Sequence, residues 1–441
     1  MNEDRAVRVA LVALGCPKNL VNSEEMLALL TDAGYELVPA TDEADLIVIN
    51  TCGFIEEAKS EAIDAILDAA EQKKQRSVKI IVCGCLAQRY RREILSELPE
   101  VDALVGTTSF QKITEVAGRV LAGEHPQEFA PLNSPVPELP RVVCTGPRWA
   151  YLRIAEGCDN RCSFCVIPSL RGPYRSRSME NILDEARSLA EHGVRELIVV
   201  AQDITRYGLD LYGKPSLSRL LCELCKLDFD WIRLHYLYPE MIDDELIDEI
   251  ANEPKIVKYL DIPIQHINDS ILRRMNRRGT GSEIRTLFRK LRERIPGLVL
   301  RTSLITGLPG EGEAEFEELC EFLREAKIER AGVFPFSPEE GTPAARMTDR
   351  CDAAEAARRA ELVSVLQAEI MDAWAESFVG KTVTVFVQGF EEDGSLWGRS
   401  YADSPEIDGR VVFFGHAQPG DMVRVMITGV EDGEWIGEEA E

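Results

Sequence analysis

The stretch Cys158-Asp159-Asn160-Arg161-Cys162-Ser163-Phe164-Cys165 contains three cysteines, separated by three and then two residues, with an aromatic residue before the last. A structural zinc site takes four ligands, usually in two pairs, and no fourth cysteine or histidine follows within reach. Three thiolates on one loop instead suit three corners of a cubic iron–sulfur cluster, which leaves one iron without a protein ligand. That open iron could bind S-adenosylmethionine (SAM). The alternative is three core cysteines that have this spacing by chance. We call these cysteines the loop triad.

The composition is that of an ordinary globular protein, with 45% hydrophobic and 29% charged residues in 441. This length predicts two or three domains, because single cores stop growing near ~250–300 residues. No apolar run approaches the ~20 residues that span a bilayer, and residues 1–4 lack a signal-peptide pattern, so we expect a cytoplasmic protein. In that compartment the 12 cysteines are expected to be ligands or buried thiols. The net charge of −26 argues against a broad nucleic-acid surface.

The first third of the chain alternates between apolar strands and helices. Four apolar runs are typical of buried parallel strands: residues 7–14, 46–50, 79–82 and 103–105. The first helix is expected to begin at Asn22 or Ser23 and to end at Gly34. Residues 1–125 are therefore predicted to form an open parallel α/β sheet domain.

Cys16, Cys52 and Cys85 each lie just beyond the carboxyl end of one of these strands. Ligands bind at that edge of an open α/β sheet, where neighbouring strand ends bring distant residues together. We therefore predict that these cysteines, the strand-end triad, converge on a second site that is again one ligand short. Cys83 competes with Cys85 for this role, but we favour Cys85 because Cys83 ends the strand and should point into the sheet packing. Free cysteines are also commonly small buried hydrophobic residues.

Residues 126–148 contain six prolines and are predicted to be an extended linker. Residues 149–375 resume the strand–helix alternation, with strands expected at 151–155, 196–200, 231–234, 259–264, 299–304 and 332–335. Six such units predict a partial (β/α) barrel with its chemistry at the strand carboxyl ends. There the loop Leu308-Pro309-Gly310-Glu311 is positioned to bind SAM.

Residues 352–377 read as one long helix, and after Gly380 the hydrophobic period changes to two. Residues 376–441 are accordingly predicted to form a small β-barrel. Residues 380–441 carry four basic and thirteen acidic side chains. Such a barrel would repel a phosphate backbone and attract a basic protein.

The loop triad with Phe164 resembles the radical SAM signature CxxxCxφC. The order of parts across nearly the whole chain is similar to that of the methylthiotransferases, which have an N-terminal cluster domain, a radical SAM barrel and a C-terminal TRAM barrel. The motifs that carry the likeness are residues 14–19 (LGCPKN), 50–53 (NTCG), 84–88 (GCLAQ) and the loop triad. Residues 201–208 (AQDITRYG) are most similar to the branch that modifies an aspartate of small-subunit ribosomal protein S-twelve.

This resemblance implies two 4Fe-4S clusters, one on Cys158, Cys162 and Cys165 and an auxiliary one on Cys16, Cys52 and Cys85. We expect SAM contacts at Phe164 in the signature and at Gly310 and Glu311 in the loop after the fifth barrel strand, and we assign no catalytic side chain. One electron cleaves SAM, the product radical removes hydrogen from the aspartate β-carbon, and the auxiliary cluster holds the sulfur that becomes the methylthio group. An external electron donor such as flavodoxin and a monomeric state are expected.

Two alternatives remain at this point. One is a tRNA adenosine methylthiotransferase with the same clusters, although the acidic C-terminal barrel disfavours a tRNA substrate. The other is a metal-binding scaffold without catalysis, which would not cleave SAM.

Overall fold

The structure is a computed structural model that describes residues 5–440. Residues 1–4, which were considered above as a possible signal-peptide start, lie outside this range. Glu441, which was counted above among the acidic residues of the C-terminal barrel, also lies outside it. No helix within residues 5–440 combines the length and the apolar character needed to cross a membrane.

The N-terminal domain is built on six parallel strands with the order β2-β1-β3-β4-β5-β6. The strands are β1 (Arg8–Ala13), β2 (Glu36–Leu37), β3 (Leu46–Thr51), β4 (Lys79–Gly84), β5 (Ala103–Val105) and β6 (Gln127–Glu128). The helices are α1 (Pro17–Asp32), α2 (Glu56–Gln75), α3 (Cys85–Arg89), α4 (Arg91–Glu97) and α5 (Ile113–Leu121). Every residue of β3 is buried, as expected of a central parallel strand that is covered on both faces.

The prediction for the start of the first helix was wrong. The helix begins at Pro17, five residues before Asn22, with Cys16 as its N-cap residue. Proline is favoured at the first helical position, because its missing N–H would be unpaired there anyway. The loop after β1 is therefore short, and Cys16 lies directly between the strand and the helix.

The central domain is a partial barrel of six parallel strands in chain order. They are β7 (Trp149–Arg153), β10 (Glu196–Val200), β11 (Trp231–Leu234), β12 (Ile256–Asp261), β13 (Val299–Thr306) and β14 (Arg330–Pro335), while β8 (Ala155–Glu156) and β9 (Arg175–Ser176) form a small ribbon. The helices are α6 (Ile167–Arg171), α7 (Met179–Glu191), α8 (Leu209–Tyr212), α9 (Leu217–Leu224), α10 (Asp244–Asn252), α11 (Asp269–Arg274), α12 (Gly281–Arg294), α13 (Glu313–Ala326) and α14 (Ala353–Glu376). The fourth strand begins three residues before the predicted position and ends at Asp261.

The C-terminal strands β15 (Thr382–Phe390), β16 (Leu396–Ser400), β17 (Val411–Phe414), β18 (Met422–Glu431) and β19 (Glu434–Glu439) close into a barrel. The predicted fold class is thereby confirmed. In the sheet of the central domain, alternate residues of each strand face opposite sides of the sheet. Ala150 and Leu152 pack against the helices, whereas Trp149 and Tyr151 share a core with the C-terminal barrel. That barrel therefore packs against the inner face of the central sheet.

The predicted linker is more ordered than its prolines suggested. Gln127–Glu128 adds the edge strand β6 to the N-terminal sheet. Further along, Arg141 forms ion pairs with Glu24 at 3.2 Å and with Glu185 at 3.0 Å. This segment therefore joins the first domain to the second by buried charge pairs.

Candidate active site

The carboxyl ends of three neighbouring N-terminal strands are in register. Ala13 pairs with Asn50, and Asn50 pairs with Cys83. Cys16 and Cys52 follow the first two of these positions by two or three residues, and Cys85 follows Cys83 by two. The strand-end triad therefore lies along one edge of the sheet, as the topology predicted.

Two glycines allow the three cysteine loops to touch. A Cβ on Gly15, whose φ is +92°, would lie 2.7 Å from the Cβ and 3.1 Å from the Sγ of Cys52. A Cβ on Gly53 would lie 2.9 Å from the Leu86 backbone and 3.1 Å from the carbonyl carbon of Cys85. Any side chain at either position would push the loops apart. The absence of a side chain at Gly15 and Gly53 thus allows the loops of the strand-end triad to lie close together.

Cys83 and Cys85 point in different directions. The Cys83 side chain is fully buried, with its Sγ 3.4 Å from the Ile49 carbonyl oxygen and 3.8 Å from the Met26 Sδ. Cys83 therefore points into the sheet packing, as predicted. Cys85 is the first residue of α3 and faces the other two cysteine loops, where burial and the nearby Cys16 and Cys85 thiols raise the pKa of Cys52 to about 11.

The loop triad follows the first strand of the central sheet, and main-chain bonds fix its loop. Ser163 donates its N–H to the Met275 carbonyl and accepts the N–H of Ala344, both at 2.9 Å. Cys158 donates its N–H to the Gly172 carbonyl at 3.1 Å. Burial raises the pKa of Cys158 to about 12 and raises that of Cys165 as well. These thiols are therefore protonated unless a bound metal takes the place of the proton.

Polar side chains next to the loop triad orient it. The Tyr238 hydroxyl lies 3.0 Å from the Cys162 Sγ, and the Arg277 guanidinium stacks on the Tyr238 ring at 4.2 Å. The Asn160 amide donates to the Asp203 carboxylate at 2.9 Å. Asp203 is fully buried, so this bond ties the loop to the end of the next strand.

The donors of both triads are of the type that an iron–sulfur cluster takes. Within the described residues no group of three or more Cys, His, Asp or Glu side chains is close enough to hold one metal ion. A four-iron cubane spaces its thiolates more widely than one ion does, and its usual protein ligands are cysteine thiolates. Each triad offers three thiols and no carboxylate or imidazole ligand, which is the donor set that such a cluster needs.

Helix α6 joins the two triads physically. It begins two residues after Cys165, and Val166 and Leu170 form a hydrophobic cluster with Cys85 and Phe54. The Thr107 hydroxyl also donates to the Leu170 carbonyl at 2.6 Å. The segment that leaves the loop triad therefore packs directly on the helix that carries Cys85.

Arg171, the last residue of α6, is buried between the two domains. Its guanidinium donates to the Asn19 and Asn22 side chains at 2.9 and 2.8 Å and lies 3.3 Å from Glu156. Burial alone would raise the pKa of Glu156, but Arg171 and then Arg153 hold it below its ordinary value. Glu156 thus stays ionised beneath the strand-end triad.

A loop of the C-terminal barrel, residues 401–409, reaches the central sheet. The Ser404 hydroxyl lies 2.9 Å from the His235 Nε2, and the Tyr259 hydroxyl donates to Asp408 at 2.6 Å. Arg330 pairs with Asp403 at 2.7 Å. These contacts fix the C-terminal barrel against β12, against the start of β14 and against the residue that follows β11.

The predicted SAM residues lie together near the end of β13. Phe164 packs on a small apolar cluster that includes Met275 and Leu308. Gly310 donates its N–H to the Asp349 carbonyl at 2.7 Å. The Glu311 Oε1 accepts bonds from the Gly307 N–H and from Arg359, both at 2.9 Å. Glu311 therefore already anchors α14, and its contact with SAM stays a prediction.

Sequence reasoning missed the charged layer between the triads. Glu25, Arg153, Glu156 and Arg171 come from distant parts of the chain, and no local pattern marks them. A usable signal was the charge within otherwise apolar surroundings, as at Arg153 in the fully buried strand β7. Buried charges occur almost only where they are paired or functional.

Three family models match consecutive parts of this chain: an uncharacterized protein family UPF0004 over residues 8–106, the radical SAM superfamily over 152–323, and the TRAM domain over 379–439. Several curated relatives align along nearly the whole chain. A protein of Lachnoclostridium phytofermentans is 50% identical over 441 residues, covering 98% of this chain and 99% of the relative. One of Geobacter sulfurreducens is 48% identical, covering 98% of each chain. Both are named ribosomal protein uS12 methylthiotransferase RimO.

Solved structures share the fold at low sequence identity. The radical SAM methyltransferase TsrM of Kitasatospora setae, with cobalamin and a [4Fe-4S] cluster bound, aligns with a TM-score of 0.58 at 17% identity and covers 77% of each chain. The cobalamin-dependent radical enzyme OxsB aligns with a TM-score of 0.51 at 14% identity, covering 84% of this chain and 56% of OxsB. These likenesses bear on the fold alone.

Proposed function

The chain belongs to the RimO family of ribosomal protein uS12 methylthiotransferases, and we propose that it adds a methylthio group to the β-carbon of an aspartate in that protein. It is a radical SAM transferase. The observation that carries the specific proposal is the pair of cysteine triads, one on each side of the interface between the first two domains. Two cluster sites that flank one domain interface suit a reaction that must both activate a carbon and deliver sulfur to it.

Each triad would hold one 4Fe-4S cluster, so we propose two per chain. When bound, the loop-triad cluster supplies the electron that cleaves SAM, and the strand-end cluster carries the sulfur for transfer. Phe164, Gly310 and Glu311 are the residues we propose next to SAM. Asp203 positions the loop triad through Asn160, and Arg171 holds the strand-end loops against α6.

The protein substrate is supported by the charge of the C-terminal barrel. Asp403 and Asp408 are already used to dock that barrel, and its basic Arg399 pairs with the buried Glu196. The acidic side chains that remain on the described surface, among them Glu392 and Glu431, still far exceed the basic ones. A negative surface attracts a basic ribosomal protein and repels tRNA phosphates.

Several finer features belong to this proposal. The reductant is an external one-electron donor such as a flavodoxin, and the enzyme acts as a monomer.

The proposed domain boundaries are residues 1–125 for the auxiliary-cluster domain, 126–148 for the linker, 149–375 for the radical SAM barrel and 376–441 for the TRAM barrel.

The direct test offers the reduced, reconstituted enzyme both substrates in the presence of SAM. We expect mass spectrometry to find one added methylthio group on an aspartate of uS12, and unmodified tRNA. Modified tRNA with untouched uS12 would overturn the proposed substrate.

A further inference from the structure

Lys18 is an unusual buried cation at the edge of the strand-end triad. Its side chain is only 7% exposed, and its ammonium lies 3.6 Å from the centre of the Tyr236 ring. Its direct partner is this aromatic side chain, and no carboxylate oxygen in the described residues lies within ion-pair distance. Two buried basic side chains nearby differ: Arg153 and Arg171 pair with Glu25 and Glu156.

The position of Lys18 is unfavourable for a second reason. It occupies the first turn of the sixteen-residue helix α1, which contains no acidic residue in that turn. The amino end of a helix carries a partial positive charge and favours anions, so a cation there is repelled. Burying a cation is unfavourable unless an opposite charge faces it. A lysine buried this deeply is rarely found without a partner of opposite charge.

The neighbour of Lys18 is itself held in a rare conformation. Tyr236 follows β11 and has a φ of +64°, which is uncommon for a residue with a bulky side chain. Strained backbone of this kind persists where the surroundings enforce it, often at binding sites. Lys18 comes from the first domain and Tyr236 from the second, so the ammonium lies where the two domains face each other.

We propose that Lys18 binds the side-chain carboxylate of the substrate aspartate. This assignment rests on the proposed function and adds the residue that would select the substrate's charge. The carbon that receives the methylthio group is bonded directly to that carboxylate carbon. Lys18 is two residues from Cys16, so an ion pair with Lys18 would hold the β-carbon beside the strand-end triad. The amino end of α1 favours the same anion.

The test measures binding without turnover, using anaerobic reconstituted enzyme and no SAM. The probes are uS12 and a uS12 variant in which the target aspartate is asparagine. For the native enzyme we expect the asparagine probe to bind about tenfold more weakly, because a charge-assisted bond is lost. For Lys18→Met the difference between the two probes should fall below about twofold.

Lys381→Met is the control for loss of a lysine over an aromatic ring, because the Lys381 ammonium, although exposed, lies 4.8 Å from the centre of the Phe378 ring. It should keep the tenfold preference for aspartate. A Lys18→Met enzyme that kept the preference would overturn the assignment. So would loss of half of its iron, which would make Lys18 a support of the cluster site. If the native enzyme neither binds nor modifies uS12, the proposed function fails, and this assignment falls with it.

Discussion

The two cysteine triads differ in how the chain supplies them. The loop triad comes from eight consecutive residues, and one loop with fixed main-chain bonds sets its geometry. The strand-end triad comes from three loops that span seventy residues, and only the parallel sheet and two close-packed glycines bring it together. One site is therefore encoded locally and the other by topology, so the two should respond differently to mutation.

The largest expected effect is on the loop triad. Replacing Cys158, Cys162 and Cys165 with alanine should reduce SAM cleavage to background, because no other site in the proposal can pass an electron to SAM. Liquid chromatography of 5′-deoxyadenosine after dithionite reduction is the measurement. Continued formation of that product at the native rate would refute the assignment of the loop triad.

The strand-end triad should separate the two halves of the reaction. With Cys16, Cys52 and Cys85 replaced by alanine, SAM cleavage should persist while methylthio transfer to uS12 stops, because only the sulfur-carrying site is lost. The same samples give both readings, by chromatography and mass spectrometry. Loss of both activities would mean that the triads form a single unit.

A substitution of Arg171 tests whether the contact between the two domains stabilises the strand-end site, since Arg171 lies where the two sites meet. Arg171→Met leaves Glu156 with one basic partner fewer, and breaking a buried pair costs about 3–5 kcal/mol. We expect faster loss of the strand-end iron during a chelator challenge. Arg177→Met is the control, because Arg177 is also buried but pairs with Glu138 and Glu185 instead of with Glu156. It should destabilise the fold and retain that iron.

The smallest expected effect is at Cys83. Cys83→Ala removes a packing thiol and should cost about 1–2 kcal/mol in the free energy of unfolding with no loss of iron. Cys85→Ala should instead lose the strand-end cluster. Urea unfolding and iron analysis of the two variants distinguish these outcomes. The reverse pattern would show that Cys83 is the ligand.

The fold class and the places of all six cysteines could be predicted from the sequence. Apolar runs locate the parallel strands, and the rule that strand ends meet at one edge then places Cys16, Cys52 and Cys85 together. The start of α1 was missed because Asn22 and Ser23 are typical residues at a helix start, whereas the helix begins at Pro17. As a result Lys18 was not recognised as part of a helix.

Contacts between distant segments could not be predicted. The Ser404–His235 bond joins residues that no periodicity relates, and it depends on how the C-terminal barrel packs on the central sheet. The pairing of Glu311 with Arg359 is similar, because a motif that suggests a ligand contact does not reveal a structural partner on α14. Local sequence patterns determine the helices and strands, whereas the packing of these elements determines which charged side chains form pairs.

The most direct test of two separate cluster sites is the iron and sulfide content of the native enzyme and of the two triple-alanine variants, reconstituted and desalted anaerobically. The account predicts roughly eight irons per native chain and about four in each variant, with Mössbauer spectra of cubane clusters in all three. A native chain with about four irons, or a variant that loses all of its iron, would contradict it.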